Sequence, residues 1–116
     1  MSFNVLAELR SEIQKELNIP CYVEVPKDRP EQFITIERTG GSSNLGVDRP
    51  IIAVQTWAES ASSVYDLTIE TNKILLNLAE TIPSVCKADV TSFYNFPDPD
   101  SKMKRYQLNL ELVTRL

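Results

Sequence analysis

The sequence predicts an α+β fold, in which a mainly antiparallel β-sheet of about five strands carries two helices packed on one face. Two amphipathic helical patterns and five runs of alternating or β-branched residues follow one another in the order α-β-β-β-α-β-β. Separate strand runs between only two helices favour an antiparallel sheet with both helices on one side. The 116-residue length fits one domain, residues 1–116, and 42% hydrophobic with 24% charged residues is a globular composition.

The first helix is predicted by apolar residues at helical spacing near the N-terminus. The stripe expected to be buried consists of Leu6, Leu9, Ile13 and Leu17. Ser2 can cap the start of this helix, and Asn18 with Pro20 ends it, because proline lacks a donor and disfavours helical geometry before it. Glu8 and Glu12 are assigned to the polar face, where they need no catalytic role.

Three strands are predicted next. The runs at 21–25 and 32–38 are rich in β-branched and aromatic residues, and the turn PKDRPE between them suggests a simple hairpin. A third strand from Pro50 to Ala58 places Ile52 and Val54 on one face, opposite Trp57. We interpret Trp57 as core or sheet-edge packing rather than as a binding platform.

The second helix is predicted from a cap at Ser60, Ser62 or Ser63 to about Ile82, where Pro83 ends it. Its main apolar stripe consists of Val64, Leu67, Thr71, Ile74, Leu75, Leu78 and Ile82. Such a stripe is expected to pack on the sheet.

A second row on the same helix is formed by Tyr65, Ile69, Asn72 and Leu76, roughly 130° from the first at about 100° per residue. An apolar row of this kind could contact a partner subunit, because exposed apolar patches commonly mark association sites. Alternatively, the first helix or the 95–104 connection covers it within one chain.

Two further strands are predicted in the stretches VCKADVTSFYNF and MKRYQLNLELVTRL. In the last stretch, Tyr106, Leu108, Leu110 and Leu112 alternate with Gln107, Asn109 and Glu111. That alternation is the strongest strand signal in the chain.

The chain contains no histidine, which removes histidine-dependent nucleophile systems and histidine metal sites. Asp98 and Asp100 have the spacing of the first two calcium ligands of a calcium loop. Lys102 stands where a third oxygen ligand belongs, and no glycine follows. The stretch PDPDSK is therefore interpreted as a stiff polar turn, and neither a metal nor a cofactor is expected.

All three glycines lie in the stretch TGGSSNLGVDRP, Thr39 to Pro50. Gly41 and Gly46 have the spacing of a phosphate loop, but Val47 replaces the required lysine and a strand follows instead of a helix. We interpret the stretch as a long hairpin connection that is mobile alone and ordered by a partner. Arg49 is either an ion-pair donor or a solvated side chain.

Charge and N-terminal composition predict a soluble protein of the cytoplasm. The formal charge is −4 and the basic residues are dispersed, so no dedicated nucleic-acid groove is expected. The N-terminus lacks the pattern of a secretion signal, and no apolar run approaches the roughly 20 residues needed to span a bilayer. Cys21 and Cys86 are interpreted as reduced core thiols, with a disulfide between them as the alternative.

An ordered series of short motifs covers about residues 20–116. It comprises VPKDRPEQFITIERTGG, then DRPIIAVQTWAES, a helix, and finally FPDPDSKMKRYQLNLEL. This series resembles the tail terminator, or tail completion, proteins of long-tailed bacteriophages and prophages. The second helix departs from the small, alanine-rich residues often found there, so the resemblance does not identify a subfamily.

The resemblance implies a structural protein without enzymatic activity that forms a ring, typically of six copies, on the head-proximal end of the tail tube. The ring would stop tube polymerisation and provide the surface for head attachment. Its partners would be further copies of itself, the tail tube protein and a head-completion or connector protein, with DNA passing through the ring. It would be located in the virion tail after assembly in the bacterial cytoplasm.

The residues predicted to contact a neighbouring subunit or the tube belong to the two polar connections and to the second row of the helix. They are Thr39, Gly40, Gly41, Leu45, Asp48, Arg49, Tyr65, Ile69, Leu76, Phe96, Asp98, Asp100 and Lys102. Two alternatives remain open at this point. One is a head-closure or connector component, and the other is a small-molecule enzyme that uses Asp or Lys in a cleft beneath the glycine stretch.

Overall fold

The fold has the predicted order of elements and is an α+β fold. The structure, a computed structural model, describes residues 4–116. In chain order its elements are α1 (Val5–Leu17), β1 (Cys21–Tyr22), β2 (Gln32–Asn44), β3 (Val47–Ala58), α2 (Ala61–Leu76), α3 (Leu78–Thr81), β4 (Val85–Asn95) and β5 (Lys104–Arg115). The predicted order α-β-β-β-α-β-β is confirmed, with α3 as a short extension after α2.

The strands form one sheet in the order β1-β2-β3-β5-β4. β2, β3, β5 and β4 are antiparallel neighbours, whereas β1 runs parallel to β2 and pairs Cys21 with Ile34. The predicted hairpin between residues 21–25 and 32–38 is therefore wrong. β1 ends at Tyr22, and the segment 23–31 returns to the start of β2, so the two strands run parallel; Pro26 and Pro30 in this segment cannot donate to a hairpin ladder.

The helices cover one face of the sheet. Ile52 and Val54 of β3 and Leu108 and Leu110 of β5 point to that face and are buried, as the alternation predicted. α1 packs against β1 and β2, while α2 packs against β3, β5 and β4. The opposite side of the sheet, called the open face below, has no helix on it within residues 4–116.

The ends of α1 follow the expected capping chemistry with a different N-terminal residue. The side chain of Asn4 accepts a bond from the Ala7 N–H at 3.1 Å, and the predicted cap Ser2 lies outside the described residues. Asn18 ends the helix in the left-handed region at φ 55°. The assignment of Glu12 to the polar face is wrong, because Glu12 is buried beside Leu9 and Ile13.

The second helix begins as predicted and ends earlier. Ser60 accepts a bond from the Ser63 N–H at 3.1 Å, which satisfies one of the free donors of the first turn. α2 stops at Leu76 instead of about Ile82, because Asn77 leaves helical geometry before α3 begins. Within the core, the hydroxyls of Thr56 and Thr68 lie 2.7 Å apart, so these two buried polar groups satisfy each other.

The two cysteines lie in different environments, and both are free thiols. Cys21 is buried, and its burial raises the pKa of the thiol to about 12, as suits an inert core residue. The interpretation of Cys86 as a core thiol is wrong, because Cys86 is exposed. It lies at a register shift of edge strand β4 between Val85 and Lys87, where the inward and outward alternation is interrupted.

Candidate interaction surfaces

The glycine-containing stretch is a paired β-hairpin rather than a mobile connection. β2 and β3 pair as far as Asn44 with Val47, and only Leu45 and Gly46 form the turn. Both turn residues have positive φ, 44° and 82°, which is the requirement of a tight hairpin turn that follows the sheet twist. Leu45 is 96% exposed at the tip, although a bulky side chain is costly in this backbone region.

Gly41 permits the close approach of the two hairpin strands. Its φ is 110°, and a Cβ atom there would collide with the carbonyl oxygen of Arg49. A Cβ atom at Gly40 would instead point into open space, and Thr39 is the extra residue of a bulge between Arg38 and Gly40. Gly41 therefore determines the hairpin geometry, whereas Gly40 and Thr39 lie exposed on an edge.

Asp48 stabilises the base of the hairpin instead of facing outward. Arg38 donates from Nη1 and Nη2 to the two carboxylate oxygens at 2.7 and 2.8 Å, and its Nε donates to the Gly40 carbonyl. The hydrogen bond from Arg38 lowers the pKa of Asp48 below its ordinary value. As a predicted contact residue, Asp48 is misassigned, because its carboxylate is buried and occupied within the chain.

Arg49 is exposed and borders a groove of about 490 Å³ on the open face. The charged residues around this groove are Arg49, Lys87, Asp89 and Glu111. Lys87 and Asp89 lie 3.5 Å apart, and both side chains are more than half exposed. Asp89 also lies directly opposite Glu111 in the β4–β5 register. These charges are solvated, which is typical of a surface and unlike the desolvated groups that catalysis uses.

The connection 96–103 is held by hydrogen bonds to the carboxylate of Asp98. Arg29 donates to its carboxylate at 3.2 Å and Ser101 at 2.6 Å, while the Asp100 N–H donates at 3.2 Å. These bonds, led by the one from Ser101, lower the pKa of Asp98. The carboxylate of Asp98 is thus engaged within the chain, whereas Asp100 and Lys102 are exposed as a contact would require.

An arginine and aromatic stack fixes the same end of the sheet. The Arg105 guanidinium lies between Trp57 and Phe96, 4.9 and 4.2 Å from their ring centroids, and donates to the Phe96 carbonyl. The Arg29 guanidinium lies 5.3 Å from the centroid of the Trp57 ring. Phe33, which pairs with Trp57 across β2 and β3, stacks its ring on the indole. Trp57 is buried, which confirms its interpretation as core. No spacing in the sequence identifies Arg29 and Arg105 as members of this stack.

A ladder of uncharged polar side chains crosses the open face. Thr35 donates to Gln55, Gln55 to Gln107, Gln107 to Asn109, and Asn109 to Ser92, all within 2.9–3.2 Å. These residues come from β2, β3, β5 and β4, so the ladder ties the four long strands together. The sequence shows the β5 members of this ladder as the polar positions of the β5 alternation. Their partners on the other strands follow only from the register between strands.

The second row of α2 lies on the β4 side of that helix. Tyr65 packs edge-on against Tyr106 of β5 at 6.2 Å, whereas the clefts near α1 are bordered by Leu67, Ile74 and their neighbours. Tyr65 and Leu76 are 49% and 52% exposed, and Ile69 is half-buried. The first helix, α1, therefore does not cover this row.

The part of the chain from residue 4 onward contains no group of three or more metal-ligating side chains placed to hold an ion. None of its helices combines the length and the apolar character needed to cross a bilayer.

Known proteins give no further guide to function. No model of a known protein family matches the sequence, and no curated protein matches it.

Proposed function

We propose that this protein is a ring-forming tail terminator of a long-tailed phage or prophage, which caps the head-proximal end of the tail tube. The observation that carries the proposal is the uncovered apolar row of α2, where Tyr65 and Leu76 remain about half exposed. α2 and α3 both pack on edge strand β4, and these two side chains of α2 stay exposed beside it. Apolar surface left in this position favours association with another chain.

The distribution of exposed apolar residues supports a ring rather than a closed pair. Tyr65, Leu76 and Phe93 lie at the β4 side of the sheet, whereas Val23 and Val25 follow β1 at the other side. Two different surfaces at opposite edges allow head-to-tail contacts, which close into a ring when the rotation between subunits permits.

The rigid ends of the sheet support docking on a tube. The hairpin is held by a continuous ladder and the 96–103 connection by Asp98 and Arg105, so little chain entropy would be lost on binding. Leu45 at the hairpin tip has no burial in the single chain that would offset its costly backbone geometry. Burial of this leucine in a contact with another chain would offset that cost.

Capping then follows from shape and requires no covalent step. The ring occupies the stacking surface of the last tube layer, and its other side does not reproduce that surface for a further layer. Many modest contacts with an apolar centre supply the affinity, as in other protein interfaces.

The proposal is tested by removing the protein from particles in the producing cell and imaging the particles by negative stain. We expect tails that exceed the normal length, because nothing stops tube growth. Tails of normal length on leaking heads would instead assign a head-closure role, and unchanged particles would contradict both roles.

A matched pair of variants tells loss of the contact from loss of the fold. Leu76→Glu places a charge in the uncovered row and should fail to restore normal tails. Ala79→Glu adds the same charge at an exposed position of α3 and should restore them. If both variants restore tails of normal length, the uncovered row is not a contact surface.

A further inference from the structure

The segment 23–31, called here the strap, connects β1 to β2 and passes over the open face of the sheet. A cleft of about 90 Å³ lies between residues 23–25 and the side chains of Thr35, Ala53 and Gln55 on that face. Within the described part of the chain, no backbone hydrogen bond joins the strap to another segment. The strap therefore lacks the backbone pairing that holds the neighbouring strands.

A single side chain of the strap, that of Arg29, makes the hydrogen bonds that join it to other described segments. Its Nη1 atom donates to the Asp98 carboxylate at 3.2 Å and to the Ser101 hydroxyl at 3.1 Å. Its guanidinium also lies 5.3 Å from the centroid of the Trp57 ring, whose π electrons attract a cation. Arg29 is thus the polar anchor of the strap.

The two acceptors of Arg29 are held in place by bonds that do not involve the strap. The Asp98 carboxylate accepts from the Asp100 N–H at 3.2 Å and from the Ser101 hydroxyl at 2.6 Å. Ser101 Oγ in turn accepts from the Met103 N–H at 3.2 Å. Because these bonds lie within one connection, the acceptors keep their positions without Arg29, which lowers the cost of binding its guanidinium.

The aromatic wall beside these acceptors is also fixed from within the sheet. Trp57 Nε1 donates to the Thr35 hydroxyl at 3.1 Å, and the indole stacks on Phe33 with 5.2 Å between ring centroids. A carboxylate, a hydroxyl and an aromatic face are three groups that bind the planar, always charged guanidinium well. The arrangement is therefore specific for arginine over lysine.

Arg105, the other arginine at this end of the sheet, has acceptors of its own. It donates from Nε to the Phe96 carbonyl at 2.7 Å and from Nη2 to the Pro97 carbonyl at 3.2 Å. These bonds leave the Asp98 carboxylate to Arg29, and the side chain of Asp98 is 7% exposed beneath it. The site therefore holds one guanidinium, and the strap supplies it.

We propose that Asp98, Ser101 and the Trp57 ring form a preformed binding site for a guanidinium group, which Arg29 fills from within the chain. When Arg29 leaves, the strap loses its polar anchor, and the site binds an arginine side chain presented by another chain. Arg29 competes with that side chain, so the apparent affinity falls with the fraction of molecules in which the strap is released. The proposal uses contacts within one chain and is independent of tail capping.

Limited proteolysis tests the anchoring of the strap. A protease that cleaves after glutamate cuts at the exposed Glu24 and Glu31, and mass spectrometry identifies the products. Asp98→Asn leaves the strap sequence unchanged and removes the charge that Arg29 binds, so we expect cleavage about fivefold faster than in the wild type. Asp100→Asn is the matched control, because the Asp100 side chain makes no hydrogen bond with the strap. Equal cleavage rates for the two variants would overturn the anchoring.

Fluorescence titration tests the site itself, because Trp57 is the only tryptophan of the chain. Ethylguanidinium is the probe, and ethylammonium is the control cation of equal charge without the planar fork. We expect ethylguanidinium to change the fluorescence of Arg29→Ala saturably, and to require at least about tenfold more probe in the wild type, where Arg29 competes. Adding Asp98→Asn to Arg29→Ala should abolish the response. A response of Arg29→Ala no larger than that of the wild type, or equal responses to the two cations, would overturn the proposal.

Discussion

The hairpin at residues 39–50 and the connection at residues 96–103 look alike in the sequence but are held by different forces. Backbone pairing continues to the tip of the hairpin, and Gly41 permits the close approach of its strands. Backbone pairing stops at Phe96 in the other connection, whose N–H donates to the Arg105 carbonyl, and the rest is fixed by the side chains of Asp98 and Arg105. A region held by its backbone is sensitive to backbone geometry, whereas one held by charged side chains is sensitive to charge and pH.

The largest effect is expected for Gly41→Ala in the hairpin. The new Cβ would collide with the Arg49 carbonyl oxygen at a backbone angle unfavourable for alanine, and we expect a loss of about 3–4 kcal/mol in the free energy of unfolding. Chemical denaturation measures this loss. Gly40→Ala is the control, because a Cβ at Gly40 meets nothing within 4 Å, and an equal loss for both variants would contradict the account of the hairpin.

Asp48→Asn should have the next largest effect. The variant removes the negative charge that accepts two hydrogen bonds from Arg38 at the hairpin base. The amide that replaces the buried carboxylate can accept only one of them. We expect a loss of about 2 kcal/mol in the free energy of unfolding. Thermal unfolding measures this loss. A loss of less than about 0.5 kcal/mol would show that this pair does not stabilise the hairpin.

Asp98→Asn tests the side-chain-held connection and should cost about 1 kcal/mol at neutral pH. The pKa of Asp98 is lowered in the folded protein, so its contribution is complete above the ordinary pKa of about 3.9 and is lost as pH falls through the lowered value. The difference in Tm between wild type and Asp98→Asn should therefore shrink below about pH 4. A difference that stays constant down to about pH 2 would refute the role of the ionised carboxylate.

The smallest effect has the opposite sign. Leu45→Asn places asparagine before Gly46 in a turn that favours this pair, and almost no burial is lost because Leu45 is 96% exposed. We expect a gain of about 0.5 kcal/mol in stability. The same variant should bind the tube more weakly, and unchanged tube binding measured by co-sedimentation would remove Leu45 from the interface.

Much of this fold could be predicted because periodicity survives in a single sequence. The alternation of β5 and the two stripes of α2 indicated their faces, and Leu108, Leu110 and Tyr65 lie accordingly. The parallel course of β1 could not be predicted, because two paired residues leave no periodic signal.

The contact residues were harder to predict for a physical reason. A charged residue in a polar stretch looks the same whether it faces solvent or a partner within the chain. Asp48 and Asp98 were resolved only when the fold brought Arg38 and Arg29 to them. Arg29 and Asp98 are 69 positions apart, and no local pattern records such a pairing.

The central claim is that this protein ends a growing tube by assembling on it. The most direct measurement is the length distribution of tubes polymerised from purified tube protein with and without this chain, read from negatively stained images. The account predicts shorter tubes that carry a ring at one end and grow no further when tube protein is added. Tubes of unchanged length with bare ends, at any ratio of the two proteins, would contradict it.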